Sequence, residues 1–319
     1  MLAAYAARFS PESPVDGLEV GERPEPAERE NWSVVEVRAA TLNHHDLWSL
    51  RGVGLRAEQL PMILGTDAAG IAPDGTEVVV HGVVGADGHG VGPREPRTIL
   101  SEKYDGTLAQ YVSVPTANLV PKPSALTFAE AACLPTAYLT AYRMLFGAAG
   151  LRPGQSVLVQ GAGGGVATAA IVLGAAAGLE VTATSRSGAK RSRALALGAA
   201  HAIEPGARMP ARVDAVVESV GKATWGHSVR SVKPGGTIAV CGATTGDQPG
   251  AELTRVFFQE IAVKGVTMGS RADLADLLAF CARTGVRPVI DSQHRLKDVR
   301  TPLARMAAGE QTGKLVVVP

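Results

Sequence analysis

The sequence predicts an α/β protein in which a doubly wound parallel sheet interrupts a smaller β domain. Three observations predict it. First, Ser156-Val-Leu-Val-Gln160 is a short apolar run, followed by glycines at 161, 163, 164 and 165 and then by a small-residue stretch from 166 to 177. Strand, glycine turn and helix in that order open a nucleotide-binding βαβ unit. Second, apolar runs and helical stretches alternate from there to about residue 268, the pattern of a parallel sheet covered on both faces. Third, the N-terminal part carries many short strand-like runs separated by glycine, which is how a compact, barrel-like β domain reads.

Length agrees with two domains, because 319 residues exceed what one core usually serves. With 31 Lys plus Arg against 30 Asp plus Glu the net charge is +1, so charge offers no case for nucleic acid or an anionic membrane as partner. Cys133, Cys241 and Cys281 are far apart and have neither metal-ligand spacing nor a disulfide framework; a reduced, cytoplasmic setting is expected. The N-terminus lacks a signal-peptide pattern, and the apolar stretch 166–179 is too short to span a bilayer.

In chain order, 33–40 alternates as a strand, and Asn43-His44-His45-Asp46 is a polar knot leading into a short helix. Pro61 to Gly70 reads as strand, turn, strand, with Gly65-Thr66-Asp67 in the middle; 76–84 is another strand and 85–105 a surface loop. Residues 106–114 and 119–121 supply two more strands. Pro121-Lys-Pro123 marks a boundary. Residues 1–122 and 269–319 are therefore expected to form the β domain and 123–268 the inserted α/β domain. Thr127-Phe-Ala-Glu130 has capping-box spacing and opens a long helix to about Phe146, which Pro135 should kink. Strands are expected near 156–160, 180–184, 201–203, 213–218, 237–241 and 262–267, helices near 166–177, 188–197, 223–232 and 253–259. Residues 271–284 form an amphipathic helix with Leu274, Leu277, Leu278 and Cys281 on one face. The tail is a helix and a strand that rejoin the β domain.

The glycine turn implies a pyrophosphate. Gly163, Gly164, Gly165 and Val166 bring backbone close to the anion, and the helix start offers N–H groups and a positive dipole end. The strand after it ends in Ser185-Arg186-Ser187, where this fold meets the adenosine ribose. NAD asks for a carboxylate there; this chain has Ser185, Arg186 and, a turn later, Lys190 and Arg191. A cationic cluster suits a 2′-phosphate, so the expected cofactor is NADPH. The bland alternative is a solvated basic helix start.

Taken in order, Asn43-x-x-Asp46, Gly65-Thr66-Asp67-Ala68-Ala69-Gly70, Pro135-Thr136-x-x-Thr140-Ala141, the glycine turn, Lys233-Pro-Gly-Gly-Thr and Gly313-Lys-Leu-Val resemble the medium-chain dehydrogenase/reductase superfamily over essentially the whole chain. Within it the chain resembles the zinc-independent quinone oxidoreductase branch. The resemblance implies a GroES-like β-barrel catalytic domain, a Rossmann cofactor domain, a small-molecule substrate and a homodimer formed through the strand near 262–267. In zinc alcohol dehydrogenases of this superfamily the catalytic metal is held by cysteine, histidine and cysteine; at the matching places stand Asn43, Thr66 and Thr136, which are not zinc ligands. The loop matching the structural-zinc loop, 85–105, has no cysteine. No metal is expected, with the histidines 44, 45, 81 and 89 as the one reservation.

The resemblance also suggests roles. Asn43 comes beside the nicotinamide as a donor to a substrate oxygen or to the cofactor's ribose, unless it is simply a turn residue. His45 is the first candidate proton donor and His44 the second. Thr140 contacts the nicotinamide face; Cys241-Gly242 and Met268-Gly269-Ser270, ending the fifth and sixth strands of the inserted sheet, line the cofactor. Without a Lewis acid, reduction of a quinone or of an α,β-unsaturated carbonyl is the expected chemistry, since conjugation spreads the incoming charge. A non-catalytic NADPH-binding protein and a zinc-free alcohol dehydrogenase are the alternatives.

Overall fold

The computed structural model describes residues 1–85 and 95–319. It divides into two compact units, Met1–Ala137 with Met268–Pro319, and Tyr138–Thr267. The chain thus crosses into the second unit after Ala137, well past the Pro121-Lys-Pro123 signal, and returns at Met268. The capped helix at 127 therefore belongs to the first unit.

That first unit is built on a seven-stranded sheet. Its main path runs Leu119–Pro121, Glu77–Val80, Asp67–Ile71, Trp32–Thr41, Lys314–Val318 and Ile290–Arg295, with Tyr111–Pro115 pairing Trp32–Thr41 as well. Leu18, Val35, Leu50, Leu64, Val80 and Val317 fill one core. Two registers position the polar residues of this sheet: Thr41 stands opposite Asp67 on one side and opposite Val316 on the other. Alternation along a strand puts Lys314 on the face of Val316 and sets it diagonally across from Thr41. Residues 85–105 are not all loop, since Arg97–Ile99 pairs with Val83–Gly85; 86–94, with His89, lie outside the described residues.

Thr127 caps its helix as the spacing predicts: its hydroxyl accepts from Glu130 N–H, and Glu130 accepts from Thr127 N–H at 2.8 Å. Pro135 does more than kink the helix. The α-helix stops at Ala132, and π-helical turns over Leu134–Tyr138 and Arg143–Ala148 flank four α-helical residues. A proline cannot donate to the preceding turn, and a wider turn accommodates the missing bond.

The second unit is a six-stranded, wholly parallel sheet in the order His201–Ile203, Glu180–Thr184, Ser156–Val159, Val213–Glu218, Val232–Val240, Ala262–Gly265. In sequence order within the unit this reads 3-2-1-4-5-6, the doubly wound arrangement with its switch point between the first and fourth strands. The glycine turn leaves the first strand at that switch point. Gly165–Ala176 is the helix behind it. Met268-Gly269-Ser270 does not end the sixth strand, which stops at Gly265; it leads into the helix Arg271–Thr284, capped by Ser270.

Candidate active site

In the first unit, Asn43, Thr66 and Thr136 come together, from three distant parts of the sequence. Asn43 Nδ2 donates to Thr66 Oγ1 at 3.2 Å, and Thr66 Oγ1 lies 2.9 Å from Thr136 Oγ1. Gly65 sets Thr66 in place: its φ is +98°, and a Cβ there would stand 2.6 Å from Thr107 Oγ1, so no other residue makes this turn. Behind the three lies a buried ion pair. Lys314 Nζ reaches Asn43 Oδ1 at 2.6 Å, Leu42 O at 2.9 Å and Asp67 Oδ2 at 3.1 Å, with the lysine side chain 2% exposed. Asp67 Oδ2 also accepts from Thr41 Oγ1 at 2.7 Å and Asn43 Nδ2 at 2.8 Å. The sheet register explains the meeting, since Thr41, Asp67 and Lys314 share one face of three adjacent strands.

Asp46, fully buried, accepts from Asn43 N–H at 2.8 Å and Gly65 N–H at 3.0 Å. It ties the turn at 43 to the turn at 65, and burial pushes its pKa up. His44 and His45 open the helix His44–Leu50. His45 lies between Ser101 Oγ and Glu102 Oε1, both at 3.4 Å. Burial works to raise the Glu102 pKa, but hydrogen bonds from His45 and from Ile99 N–H outweigh it and hold the carboxyl below its usual range. His44 opens to solvent yet is densely surrounded by protein; burial first, then the charges of Lys314 and Arg51, keep its pKa below the ordinary imidazole value. His81 is sealed, donating from Nε2 to Gly269 O at 2.8 Å, and so fixes the loop that the sequence assigned to the cofactor. Ser270 spends its hydroxyl on Asp273, 2.8 Å away.

Asn43 Oδ1, Thr66 Oγ1 and Thr136 Oγ1 make a poor zinc site, lacking thiolate, imidazole or carboxylate and with an ammonium already on the amide oxygen. Among the described residues no three His, Cys, Asp or Glu side chains cluster to hold a metal.

In the second unit, the N–H groups of Gly164, Gly165 and Val166 meet no acceptor among the described residues, and Gly164 caps the helix with no side-chain bond. These are the free donors an anion would meet. Lys190 crosses the turn: a Cβ on Gly163 would stand 2.8 Å from its Nζ. Arg186 is exposed, whereas Ser185 is nearly buried. Arg191 is used within the protein, donating to Ser185 O at 2.8 Å and pairing with Glu204 at 3.3 Å. Cys241 follows the fifth strand, and burial with the charge of Glu218 pushes its thiol up to about 12, so it is no thiolate. Thr140 is nearly buried in the four-residue α-helical segment Leu139–Tyr142.

Sequence reasoning missed Lys314. It stood inside the Gly313-Lys-Leu-Val motif, but only its bonds to Asn43 and Asp67, more than two hundred residues away, show what it does.

Comparison with known proteins agrees with this architecture. Residues 29–124 match the model of the alcohol dehydrogenase GroES-like domain, and residues 165–283 match that of the zinc-binding dehydrogenases. A zinc-type alcohol dehydrogenase-like protein of Schizosaccharomyces pombe is 30% identical over 89% of this chain and 90% of its own length. An acryloyl-coenzyme A reductase of Sulfurisphaera tokodaii is 26% identical over 96% of this chain and 98% of its own. A crystal structure of an NAD-dependent alcohol dehydrogenase superposes with a TM-score of 0.89 at 30% identity, covering 100% of both chains. The zinc-binding match covers none of positions 43, 66 and 136. The chain belongs to the medium-chain dehydrogenase/reductase superfamily of oxidoreductases, with a GroES-like domain and a Rossmann domain.

Proposed function

We propose that the chain is an NADPH-dependent reductase of a quinone or of a C=C bond conjugated to a carbonyl, working without a metal. One observation carries the reading: the cluster of Asn43, Thr66 and Thr136 offers hydrogen bonds and no metal ligand. Hydrogen bonds suffice where conjugation spreads the charge that arrives with a hydride; an isolated ketone asks for a stronger electrophile. The likeness to an acryloyl-coenzyme A reductase supports an activated C=C.

Bound NADPH supplies the hydride. Gly164, Gly165 and Val166 hold its pyrophosphate through free N–H groups, and Arg186, Ser185 and Lys190 meet the 2′-phosphate. Thr140, Cys241-Gly242 and Met268-Gly269-Ser270 are assigned to the rest of the cofactor, and His45, with Glu102 beside it, is the first proton donor to test. A homodimer is part of the reading. Leu253, Phe257, Phe258 and Val263 are 69, 60, 76 and 47% exposed around the edge strand Ala262–Gly265, and such a patch suits a second copy. Phe258→Asp should then give a monomer in sedimentation.

The test is NADPH oxidation, followed by absorbance, with benzoquinone and cyclohexenone as acceptors. Turnover with either supports the reading. No turnover with these, together with alcohol-dependent reduction of NADP, would favour an alcohol dehydrogenase instead. Arg186→Ala should weaken NADPH about ten- to a hundred-fold, the worth of one charge-assisted bond, and leave NADH nearly unchanged. Equal weakening of both cofactors would remove the case for the 2′-phosphate.

A further inference from the structure

We infer that the Thr136 hydroxyl is the hydrogen-bond donor to the substrate's carbonyl oxygen, polarised by a relay that starts at the buried Lys314 ammonium. The inference rests on the reductase reading and comes from counting hydrogens along one chain of contacts.

The Lys314 ammonium has three hydrogens and meets three oxygens: Leu42 O, Asn43 Oδ1 and Asp67 Oδ2. Since an ammonium can only donate, the Asn43 amide must turn its oxygen to Lys314 and its nitrogen the other way. The two hydrogens on Nδ2 are then taken by Asp67 Oδ2 at 2.8 Å and Thr66 Oγ1 at 3.2 Å. Asn43 therefore has no hydrogen left for a substrate oxygen, and the role expected of it passes along the chain.

Thr66 has accepted one hydrogen and must place its own. It is 0% exposed, and among the described residues the one acceptor for its O–H is Thr136 Oγ1, at 2.9 Å. Were Thr136 the donor of that bond, a buried hydroxyl hydrogen would be left without a partner, an arrangement native proteins seldom keep. The direction is thus Lys314 to Asn43 to Thr66 to Thr136. Thr136 is only half-buried, and no other acceptor among the described residues takes its hydrogen. Donors in series strengthen one another, so the outermost hydroxyl carries some of the ammonium's pull. Asp67 keeps the buried charge balanced.

In the reaction a hydride adds to the far carbon of the conjugated acceptor, and the C=C electron pair shifts toward the carbonyl oxygen as the nicotinamide is oxidised. Thr136 hydrogen-bonds to that oxygen and keeps its proton; the single proton the reaction consumes goes to the resulting enolate, with His45 the first donor to test, and completes the reduced product. Thr136 is the catalytic residue here, and Lys314, Asn43 and Thr66 are positioning residues.

The test compares wild type with Thr136→Val, Thr136→Ser and the paired replacement Lys314→Met with Asp67→Leu, which removes both buried charges together. With cyclohexenone and NADPH, Thr136→Val should lower kcat about a hundred- to a thousand-fold, the usual cost of one oxyanion donor. Thr136→Ser should restore it to within a few-fold, and NADPH affinity by fluorescence titration should not change. In the paired background Thr136→Val should cost at least ten-fold less than in wild type, a coupling that a merely structural Lys314 would not produce. An active wild type whose Thr136→Val variant keeps its kcat overturns the relay and leaves the reductase reading standing. If wild type turns over neither acceptor, that reading fails separately. The relay is then judged by the infrared carbonyl band of bound, carbonyl-labelled cyclohexenone. A band lowered in wild type and restored in Thr136→Val supports it; an unshifted band, or no binding, overturns it.

Discussion

Asp67 in the first unit and Glu218 in the second are both buried carboxylates, and the two are held in opposite ways. Asp67 faces a buried cation, Lys314, 3.1 Å away. Glu218, 0% exposed, is held among the described residues by neutral donors only: Val220 and Gly221 N–H, Thr224 Oγ1, and Ser228 Oγ at 2.6 Å. Its network continues through Gln160, which donates to Ser228 Oγ and His227 Nδ1 and accepts from Thr184 Oγ1. Thr184 in turn accepts from Gly161 N–H at 3.1 Å. This closed set of bonds supports the strand ends from which the glycine turn departs. The chain from Lys314 is open instead, ending on the half-buried Thr136. A closed network fixes backbone; an open one has a hydrogen to offer, and that difference is why chemistry is assigned to the first unit and cofactor support to the second.

Replacing one member on each side sharpens the contrast. Lys314→Met leaves Asp67 charged, buried and uncompensated, and should cost about 3–5 kcal/mol in urea unfolding. Adding Asp67→Leu should recover most of that, because a buried pair exchanged for apolar side chains is often neutral. A double variant no more stable than the single one would mean that Lys314 does not serve Asp67. Glu218→Gln offers an amide where Thr224 and Ser228 donate, and should cost less, about 1–3 kcal/mol. A loss as large as that of Lys314→Met would erase the distinction between the two sites.

A third carboxylate gives the smallest effect. Burial opposes ionisation of Asp214, but the Lys233 ammonium and the N–H and O–H of Ser156 outweigh it and hold its pKa down to about 2. A lowered folded-state value means stability present above the unfolded carboxyl's value, near 4, and lost as pH falls toward 2. Asp214→Asn should therefore flatten the acid limb of thermal stability between about pH 4 and 2. An acid limb identical to wild type would show that the Lys233 contact is idle.

What the sequence disclosed depends on how local each signal is. The helix Arg271–Thr284 and its Ser270 cap are written within a few neighbouring residues, and the parallel strands are apolar runs of ordinary length. The strand Ile290–Arg295 escaped notice because Asp291, Ser292, Gln293 and His294 give it no apolar alternation. Thr66 and Thr136 were legible only as places where metal ligands are missing. That they bond to each other, and that Lys314 lies behind them, depends on sheet register and on the turn at Pro135, which no short stretch of sequence encodes.

The most direct test of a metal-free donor site is to strip the protein exhaustively with a chelator and follow NADPH oxidation by cyclohexenone. The account predicts the same kcat before and after stripping, with added zinc making no difference. Activity lost with the metal and returned by one equivalent of zinc would contradict it.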